Sequence, residues 1–376
     1  RYLTSKVSFA NAVERIAQVD PKVAVTASYW DADPWKLGTP SGTVDLQTGI
    51  LHEPRQDEGI TKATSVAPLD QDCPLWKRFL NEATRGDVDL IRFLRQWCGY
   101  CLTGITREHA LAFVHGSGGN GKSVFINIVT SIMNDYATTA AMETFSAGKY
   151  AQHPTDLAML RGARIVTASE TEEGRAWAEA RIKQMTGGDP ITARFMRQDF
   201  FTFKPQFKLT IIGNHQPVLH SVDDAARRRF NIIPFIHSPE TPDRDLERKL
   251  MIEAPAILQW MIEGCLDWQR NGLCRPESVN AATAAYFSDQ DLMGQWLEDC
   301  CEVKKDRGPN GIWDRSSDLF ESWAEYAHKA GDEPGSKKSF GQSMQRRGFE
   351  PYRIPNVGTR AFRFVRLRTM VKGSDA

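Results

Sequence analysis

Apolar runs alternate with amphipathic stretches through the middle of the chain, between residues 105 and 240. Four of these runs are short, continuous and rich in Ile, Val, Leu and Phe, which is typical of strands buried in a parallel sheet. They predict strands over residues 110–115, 163–169, 207–213 and 230–235. The stretches between them repeat their apolar positions at helical spacing. The pattern therefore predicts an α/β layer.

The flanking segments show other patterns. Residues 303–376 follow a polar, glycine-containing linker and predict a helix over 316–328, a helix over 336–347 and a hairpin over 352–367 that turns at 356–358. Two helices followed by a basic hairpin predict a winged helix-turn-helix. The predicted domain order is a mixed α/β region at 1–70, a helical subdomain at 71–104, the α/β layer at 105–240, a helical extension at 241–302 and the terminal module at 303–376.

The composition is that of an ordinary globular protein, with 41% hydrophobic and 25% charged residues among 376. We expect no membrane contact and a cytoplasmic location, because no apolar run approaches the length of a membrane span and no secretory signal opens the chain. Seven cysteines, an odd number, fit a reducing compartment. The start at Arg1 suggests a segment of a longer protein.

Cys98 and Cys101 have the spacing of half a zinc or redox site. No second Cys-x-x-Cys pair accompanies them, and they lie in an apolar stretch that is predicted to be helical. A packed helix is therefore the favoured interpretation.

A glycine-rich loop follows the first predicted strand and satisfies the pattern G-x-x-x-x-G-K-[ST] in full. Its residues are Gly116, Ser117, Gly118, Gly119, Asn120, Gly121, Lys122 and Ser123. Glycines let the backbone turn its N–H groups onto a polyphosphate at a helix N-terminus. Lys122 would reach the β- and γ-phosphates and the Ser123 hydroxyl would ligate Mg²⁺, so ATP and Mg²⁺ are the expected cofactors.

Polar residues end the first two of the strands predicted after this loop. Glu170 ends an apolar strand, where a carboxylate would orient Mg²⁺ and polarise the attacking water. Glu172 is close enough in sequence to share this task, although it is equally interpreted as a solvated loop acid. Asn214 ends the next strand, where an amide would hydrogen-bond the γ-phosphate or the water, or else cap a turn.

Three arginines, Arg227, Arg228 and Arg229, precede the last predicted strand. They are either a solvated charged turn or the source of an arginine finger that stabilises transition-state charge across a subunit boundary. Arg228 is the first choice for the finger and Arg229 the second.

The net charge of zero conceals a basic terminal segment. Residues 336–376 hold ten Lys and Arg against only Glu350 and Asp375, which is the electrostatic footprint of a nucleic-acid contact. The predicted DNA-binding residues in this segment are Lys337, Lys338, Arg346, Arg347 and Arg360.

The order of these motifs resembles the superfamily 3 helicases, in the branch of phage, plasmid and poxvirus primase-helicases. The matching pieces are GSGGNGKS, the strand ending ASETEEG, KQMTGGDPITARFM, the strand ending IIGN, and DDAARRRFNIIPF. The resemblance covers nearly the whole chain, and the TGGD segment is its most specific piece. A departure is Ser169, which stands where several relatives carry an acid, so Glu170 and Glu172 both remain candidates for polarising the water.

The resemblance implies an AAA+-like phosphate-loop ATPase core and a hexameric ring with ATP between subunits. It also implies a hairpin that carries Arg194 and Arg197, with Lys183 nearby, and that grips single-stranded or forked DNA in the channel during 3′ to 5′ translocation. Nearby aromatic residues would either stack on bases or form the core of the hairpin base. These residues are Phe195, Phe200 and Phe201.

Two functions compete on this basis. The first is a replicative DNA helicase, the motor part of a primase-helicase whose primase domain lies upstream or that works with replication proteins of a bacterial host. The second is an ATP-dependent origin-binding initiator or helicase loader with little unwinding of its own. A small-molecule kinase or GTPase is disfavoured, because the chain has no N-K-x-D guanine motif and no lid pattern.

Overall fold

The computed structural model describes residues 6–21, 24–147, 154–170, 176–219, 224–308, 311–355 and 358–368, without the side chains of Glu170 and Asp224. The chain divides into two compact units, Arg1–Ala284 and Ala285–Ala376. None of the described helices combines the length and the apolar character that crossing a lipid bilayer requires.

The first unit begins with helix α1 (Val7–Ala17) and an antiparallel sheet of strands β1 (Lys36–Thr39), β2 (Gly42–Asp45) and β3 (Ile50–His52). Its further helices are α2 (Pro74–Ala83), α3 (Val88–Leu102), α4 (Lys122–Met133), α5 (Pro154–Ala158), α6 (Glu179–Gly187), α7 (Asp224–Arg229), α8 (Leu246–Ile252), α9 (Ala254–Asn271) and α10 (Glu277–Asp289), which continues into the second unit.

A parallel sheet forms the centre of the first unit. Its strands are β4 (Leu111–His115), β5 (Ala137–Thr139), β6 (Ile165–Glu170), β9 (Lys208–Gly213) and β10 (Phe230–Pro234), and a separate hairpin contains β7 (Ile191–Ala193) and β8 (Phe201–Phe203). Over the described residues the sheet order is β10-β4-β9-β6-β5, with every neighbouring pair parallel. The four predicted strands and the α/β class are thereby confirmed. The short edge strand β5 was not predicted, because three residues are too few to make an apolar run.

Two buried cations anchor the N-terminal ends of β6 and β9. Arg164, just before β6, donates from Nη1 to Leu102 O at 2.6 Å, and Lys208, the first residue of β9, donates to Thr103 O and, at 3.3 Å, to Ile105 O. Both therefore bind carbonyls at or just beyond the C-terminal end of α3, where a helix favours positive charge. These bonds fix the N-terminal ends of the two strands, whereas the glycine-rich loop follows the C-terminal end of β4.

Helices α3 and α9 pack at very close range through two glycines. A Cβ on Gly99 would lie 2.0 Å from Cys265 N, and a Cβ on Gly264 would lie 2.0 Å from Arg95 O. Cys98 and Cys101, which lie on α3, are buried, and burial raises the pKa of both thiols. The packed-helix interpretation of these cysteines is therefore confirmed.

The second unit contains helices and short strands around a separate core. After α10 come α11 (Leu292–Cys300), β11 (Cys301–Val303), β12 (Trp313–Arg315), α12 (Ser316–Lys329), α13 (Lys337–Arg346), β13 (Pro351–Arg353), β14 (Arg360–Arg363) and β15 (Val365–Leu367). Strands β12, β14 and β13 form one antiparallel sheet in that order, and β15 pairs with β11. The two predicted helices and the hairpin are present, although Asn356 and Val357 at its turn lie outside the described residues.

The second unit starts earlier than the polar linker that suggested a boundary near residue 303. Trp296 of α11 is fully buried with Trp323 and Phe340, whose ring centroids lie 6.0 and 5.9 Å from it. Helix α11 therefore packs with the terminal module, whereas the sequence assigned it to the helical extension. Hydrophobic spacing showed the helix but not the side on which it would be buried.

Candidate nucleotide site and nucleic-acid surfaces

The glycine-rich loop 116–123 connects the carboxyl end of β4 to the start of α4. Gly119 and Gly121 have φ values of 77° and 84°, which side chains rarely adopt. Gly116 has an ordinary φ, yet a Cβ there would lie 1.8 Å from Phe235 O. The loop therefore needs glycine at these three positions for two different reasons, conformation and close approach.

Lys122 turns its ammonium into the loop. Nζ donates to Gly116 O at 2.7 Å, to Ser117 O at 3.0 Å and to Asn120 Oδ1 at 2.9 Å. The side chain is buried, and burial lowers the pKa of the ammonium. Among the residues that the structure describes, no carboxylate forms an ion pair with it. The loop thus surrounds a desolvated positive charge that has no counter-ion among the described residues.

Two hydrogen bonds attach the loop to the segment after β10. Asn120, only 3% exposed, donates from Nδ2 to Phe235 O, and Ser238 Oγ donates to Gly118 O at 3.2 Å. Asn120 was predicted to contact the nucleotide through the loop. Its side chain instead holds the loop against Phe235 and accepts a bond from Lys122.

The ends of the neighbouring strands lie at the same edge of the sheet. Glu170, the last residue of β6, is paired in register with Gly213 of β9, which is in turn paired with His115 of β4. Asn214 follows β9 and lines a cavity together with Lys122 and Ser123. The Glu170 side chain and all of Glu172 lie outside the described residues, so the structure places only the Glu170 backbone.

His115 is a residue that the sequence did not single out. It ends β4 directly before Gly116 and is half-buried. Burial lowers the pKa of this imidazole, as does the neighbouring charge of Lys122. The signal that was available is its position, because polar residues at the carboxyl ends of parallel strands border the ligand crevice.

A cavity of about 400 Å³ opens beside the loop, within the usual size range of ligand pockets. One wall is formed by Phe79, Glu82 and Ala83 of α2, and another by the segment from His237 to Leu246. The Phe79 ring lies against Gly121, where an added Cβ would come within 2.8 Å of it. Sequence reasoning missed this wall, since its residues carry no phosphate-binding signature.

Helix α2 is held in position at its N-terminal turn. Glu253 accepts hydrogen bonds from Leu75 N at 3.1 Å and Trp76 N at 2.9 Å, which satisfies donors at its N-terminus. The Trp76 ring stacks on Phe125 of α4, with centroids 5.8 Å apart. These contacts fix Phe79 beside the glycine-rich loop.

The three arginines of α7 have different environments. Arg227 and Arg228 are exposed, whereas Arg229 is half-buried and donates from Nη1 to its own helix, at Ala225 O, over 2.9 Å. The Arg228 carbonyl accepts a bond from Arg275. None of the three lines the 400 Å³ cavity of the same chain in the described part of the structure.

The β7–β8 hairpin presents an aromatic and basic tip. Phe195, Met196 and Phe200 are 38%, 66% and 58% exposed, so the core interpretation is wrong for these two phenylalanines. Phe201 is partly covered by the Phe195 ring, 5.4 Å away, and the Arg194 guanidinium lies 4.9 Å from the Phe200 ring. Arg197 is exposed at the tip, and Lys183 lies half-buried on α6.

The basic residues of the second unit separate into two groups. Lys337, Lys338 and Arg360 line a groove of about 430 Å³, and Arg353, which the sequence did not select, lines it too. Arg346 is exposed but does not line this groove. Arg347 forms a two-pronged ion pair with Asp291 inside the unit. The Asp291 carboxylate therefore neutralises the Arg347 charge within the unit, whereas the sequence predicted that Arg347 binds DNA.

Two family models match separate parts of the chain. The model described as D5 N terminal like matches residues 2–85, and a family of unknown function, DUF5906, matches residues 114–229. The first match ends at the wall formed by α2, and the second begins at the last residue but one of β4.

Curated relatives of the chain include three viral proteins. The "Putative helicase L207/L206" of Acanthamoeba polyphaga mimivirus is 25% identical over 322 residues, which are 79% of this chain and 33% of that protein. The "Putative helicase 022R" of Frog virus 3 is 26% identical over 269 residues, 65% of this chain and 27% of that protein. A "Putative primase" of African swine fever virus is 25% identical over 236 residues, 58% of this chain and 24% of that protein. The chain therefore spans about a quarter to a third of the length of these relatives.

Among solved structures, the apo form of the NrS-1 C-terminal region matches 95% of this chain and 90% of its own, with a TM-score of 0.55 and 14% identity. A second structure of that region, residues 305–718, gives a TM-score of 0.51 and 12% identity. At this level of identity the likeness shows the fold alone.

Proposed function

We propose that the chain belongs to the phage and viral primase-helicase family and is the ATP-driven DNA helicase part of such a protein. In this proposal it is a superfamily 3 motor that assembles into a hexameric ring and moves along single-stranded DNA from 3′ to 5′. The observation that carries the proposal is Lys122, a buried cation without a carboxylate partner among the described residues, held inside a loop in which Gly116 and Gly121 leave no room for a side chain.

The loop fits the triphosphate of ATP and its Mg²⁺. A polyphosphate would replace the loop carbonyls as the partner of Lys122 and would accept hydrogen bonds from the loop N–H groups at the start of α4. Ser123 lines the cavity and would bind Mg²⁺ through its hydroxyl, with Glu170 at the end of β6 as the second protein group. When bound, Mg²⁺ would neutralise negative charge on the phosphates.

The remaining cavity suits the nucleoside. Its walls contain the Phe79 ring, Ala83, Pro239, Pro242 and Leu246, which together offer an apolar slot beside the phosphate loop. Burial of a planar base in such a slot is favourable, because apolar and aromatic surface of both the base and the slot is removed from water.

The chemistry would take place at the ends of β6 and β9. The Glu170 carboxylate would orient and polarise the attacking water, with Glu172 as the alternative, and the Asn214 amide would position that water or the γ-phosphate. His115, which is in register with Gly213 at the end of β4, would border the same crevice. Each of these roles positions a group or a proton, as phosphoryl transfer requires.

A finger arginine would come from the neighbouring subunit. Arg228 is exposed on α7, whereas the Arg229 guanidinium is turned back toward Ala225 O. This difference supports Arg228 as the finger and gives Arg229 a packing role. The absence of all three arginines from the lining of their own cavity, within the described residues, agrees with a site that a second subunit completes.

The β7–β8 hairpin is the proposed grip on single-stranded DNA. Arg194 and Arg197 would bind phosphates, while the exposed rings of Phe195 and Phe200 would stack on bases. Exposed phenylalanines beside arginines are costly in water, which supports a bound partner at this tip.

The decisive experiment compares Lys122→Ala with the wild type for DNA-stimulated ATP hydrolysis and for unwinding of a forked duplex. We expect the variant to lose ATPase activity by at least about a hundredfold, because the phosphates lose their fixed cation. Lys77→Ala, which removes an exposed lysine of α2, is the matched control and should leave both activities unchanged.

Two results would contradict parts of the proposal. ATP hydrolysis that survives in Lys122→Ala would remove the loop from the active site. A wild type that hydrolyses ATP and binds DNA but unwinds no fork would favour the initiator or loader function over the helicase.

A further inference from the structure

Arg275 is a cation that has no role in the proposed mechanism so far. It is half-buried in the short segment between α9 and α10. Its Nη2 group donates a hydrogen bond to the carbonyl oxygen of Arg228, 47 positions earlier in the chain. A side chain from a distant part of the sequence thus holds the main chain of the candidate finger residue from outside α7.

Helix α7 depends on such outside donors at its end. It has only six residues and runs straight into β10. The last four carbonyls of a helix have no partner within it. Arg275 binds one of these carbonyls, that of Arg228. Asn231, which is fully buried, donates from Nδ2 to Arg229 O at 3.4 Å and to Leu111 O of β4 at 2.9 Å. Two successive carbonyls at the end of α7 are therefore fixed by side chains.

The segment that carries Arg275 is itself fixed on both sides. Before it, Cys274 N donates at 2.8 Å to Oε1 of Gln96, a fully buried residue of α3. After it, Ser278 Oγ donates at 2.7 Å to Oδ2 of Asp87, which is the N-cap of α3. Arg275 therefore extends from a backbone whose position is set by α3.

Helix α10 also contacts the strand that follows the finger helix. Thr283 Oγ1 accepts a hydrogen bond from Ile232 N of β10 at 3.1 Å. Arg275 lies two residues before α10 and Thr283 lies within it. One continuous segment therefore fixes both the end of α7 and the start of β10, so that their relative position is defined.

The position of the Arg275 guanidinium has a cost that its hydrogen bond offsets. Burial lowers the pKa of this group, and the neighbouring charge of Glu108 opposes that shift. Removal of a cation from water is unfavourable unless the cation gains good partners in the protein. Because a hydrogen bond from an ionised donor is about twice as strong as a neutral one, the bond to Arg228 O is well suited to fix that carbonyl.

A fixed main chain at Arg228 is useful because its side chain is exposed. A long side chain loses conformational freedom when it binds a ligand, and this loss weakens the interaction. A fixed backbone limits the region that the guanidinium samples, so less freedom is lost when it meets a phosphate. Stabilisation of transition-state charge depends on this kind of preorganisation.

We propose that Arg275 is a positioning residue for ATP hydrolysis, which fixes the backbone of Arg228 so that this finger reaches the nucleotide of the neighbouring subunit. Arg275 does not line the 400 Å³ cavity in the described part of its own chain, and it acts only through Arg228. The inference rests on the proposed function, since it requires a site that two subunits share. It adds a residue from beyond both segments that match family models.

The first test measures DNA-stimulated ATP hydrolysis by Arg275→Met, which keeps an unbranched stem but has no donor for the carbonyl. We expect kcat to fall about ten- to a hundredfold, since a displacement of about 1 Å at a catalytic group has effects of that size. KM for ATP should stay as in the wild type, because the finger acts on charge that develops in the transition state. The melting temperature should fall by less than about 4 °C, because water can bind the carbonyl at this exposed helix end.

Two further variants control for charge and for folding. Arg275→Lys keeps a cationic donor and should recover part of the lost kcat. Arg270→Ala removes an exposed arginine near the C-terminal end of α9 and should leave kcat and KM unchanged. A kcat of Arg275→Met equal to that of the wild type would overturn the inference.

Subunit mixing separates a positioning role from a structural one. Mixtures of Arg275→Met with Lys122→Ala should regain activity, because some interfaces then combine an intact loop with an intact finger. Mixtures of Arg275→Met with Arg228→Ala should gain nothing over the unmixed variants, because every finger is impaired. If loss of Arg275 instead damaged the nucleotide site of its own subunit, the two mixtures would give the opposite results, and the inference would be wrong.

The mixture of Arg228→Ala with Lys122→Ala distinguishes a failure of the inference from a failure of the proposed function. Recovery in that mixture, without recovery when Arg275→Met replaces Arg228→Ala, would overturn the role of Arg275 alone. No recovery in either mixture would argue against a shared site and would overturn both proposals.

Discussion

Replacing Gly116 with alanine tests the geometry of the glycine-rich loop directly. Gly116 has an ordinary φ, so alanine suits its backbone conformation, and the obstacle is only the space. The added Cβ would lie 1.8 Å from Phe235 O and 2.3 Å from Asn120 Nδ2. Contacts of this kind need about 3 Å or more, so the loop and the end of β10 must separate by more than about 1 Å.

This separation has a calculable cost. Overpacking a well-ordered interior costs about 1–3 kcal/mol, and the buried Asn120 bond to Phe235 O, once broken, leaves groups whose desolvation costs about 1–3 kcal/mol more. We therefore expect Gly116→Ala to lower the free energy of unfolding by about 2–6 kcal/mol. ATP affinity should fall by more than about tenfold, because the carbonyls that position Lys122 move with the loop.

Gly118→Ala is the matched control in the same loop. Gly118 also has an ordinary φ, and an added Cβ would meet nothing within 4 Å. This variant should keep the stability of the wild type or gain about 0.4–1 kcal/mol, since alanine restricts the unfolded chain. Denaturant unfolding and titration with a fluorescent ATP analogue measure both quantities. The reasoning is refuted if the two variants have the same stability and the same affinity for the analogue.

Three further predictions concern charged residues. Arg197→Ala should weaken binding of single-stranded DNA and reduce its salt slope by about 1 while sparing ATP binding, and an unchanged slope in anisotropy titrations would remove Arg197 from the grip. Mixing Arg228→Ala with Lys122→Ala subunits should restore part of the ATPase activity, because a mixed ring contains interfaces with both groups intact; no recovery at any ratio would argue against a shared site. Arg347→Ala should lower the melting temperature, because it leaves the half-buried Asp291 carboxylate without its cation, yet it should retain the wild-type salt slope for duplex DNA. A reduced slope would return Arg347 to the interface.

Local patterns predicted the loop and the strands around it correctly. The β4 run, the glycines and Lys122 lie within a few residues of one another, so their geometry follows from short-range chemistry. Strands β6 and β9 are apolar runs bounded by polar residues, and the carboxyl ends of parallel strands meet at one edge. Asn214 therefore lines the cavity, while its role and the placement of the Glu170 and Glu172 carboxylates remain predictions.

Features that depend on orientation could not be predicted. Arg347 was assigned to DNA by charge alone, whereas its side of α13 turns toward Asp291. The opposition of Arg353 and Arg360 depends on the strand register, which a linear sequence with an ambiguous turn does not fix. The sequence left two alternatives for Phe200, the core of the hairpin base or a stacking surface, and the structure exposes it at the tip beside Arg194.

The residues of the candidate nucleotide site are divided among the two segments that match family models and a third part of the chain. Phe79 lies in the segment 2–85, the loop lies in the segment 114–229, and the wall from Pro239 to Leu246 lies in neither. Phe79 and Gly121 are nevertheless in contact, and Glu253, from beyond both segments, fixes the helix that carries Phe79. Because the cavity needs all three parts, the first unit must fold as a whole before the loop has a complete site. Displacing α2 would open the slot for the base while leaving the phosphate loop intact, so affinity for the nucleoside part should depend on α2 independently of the affinity for phosphates.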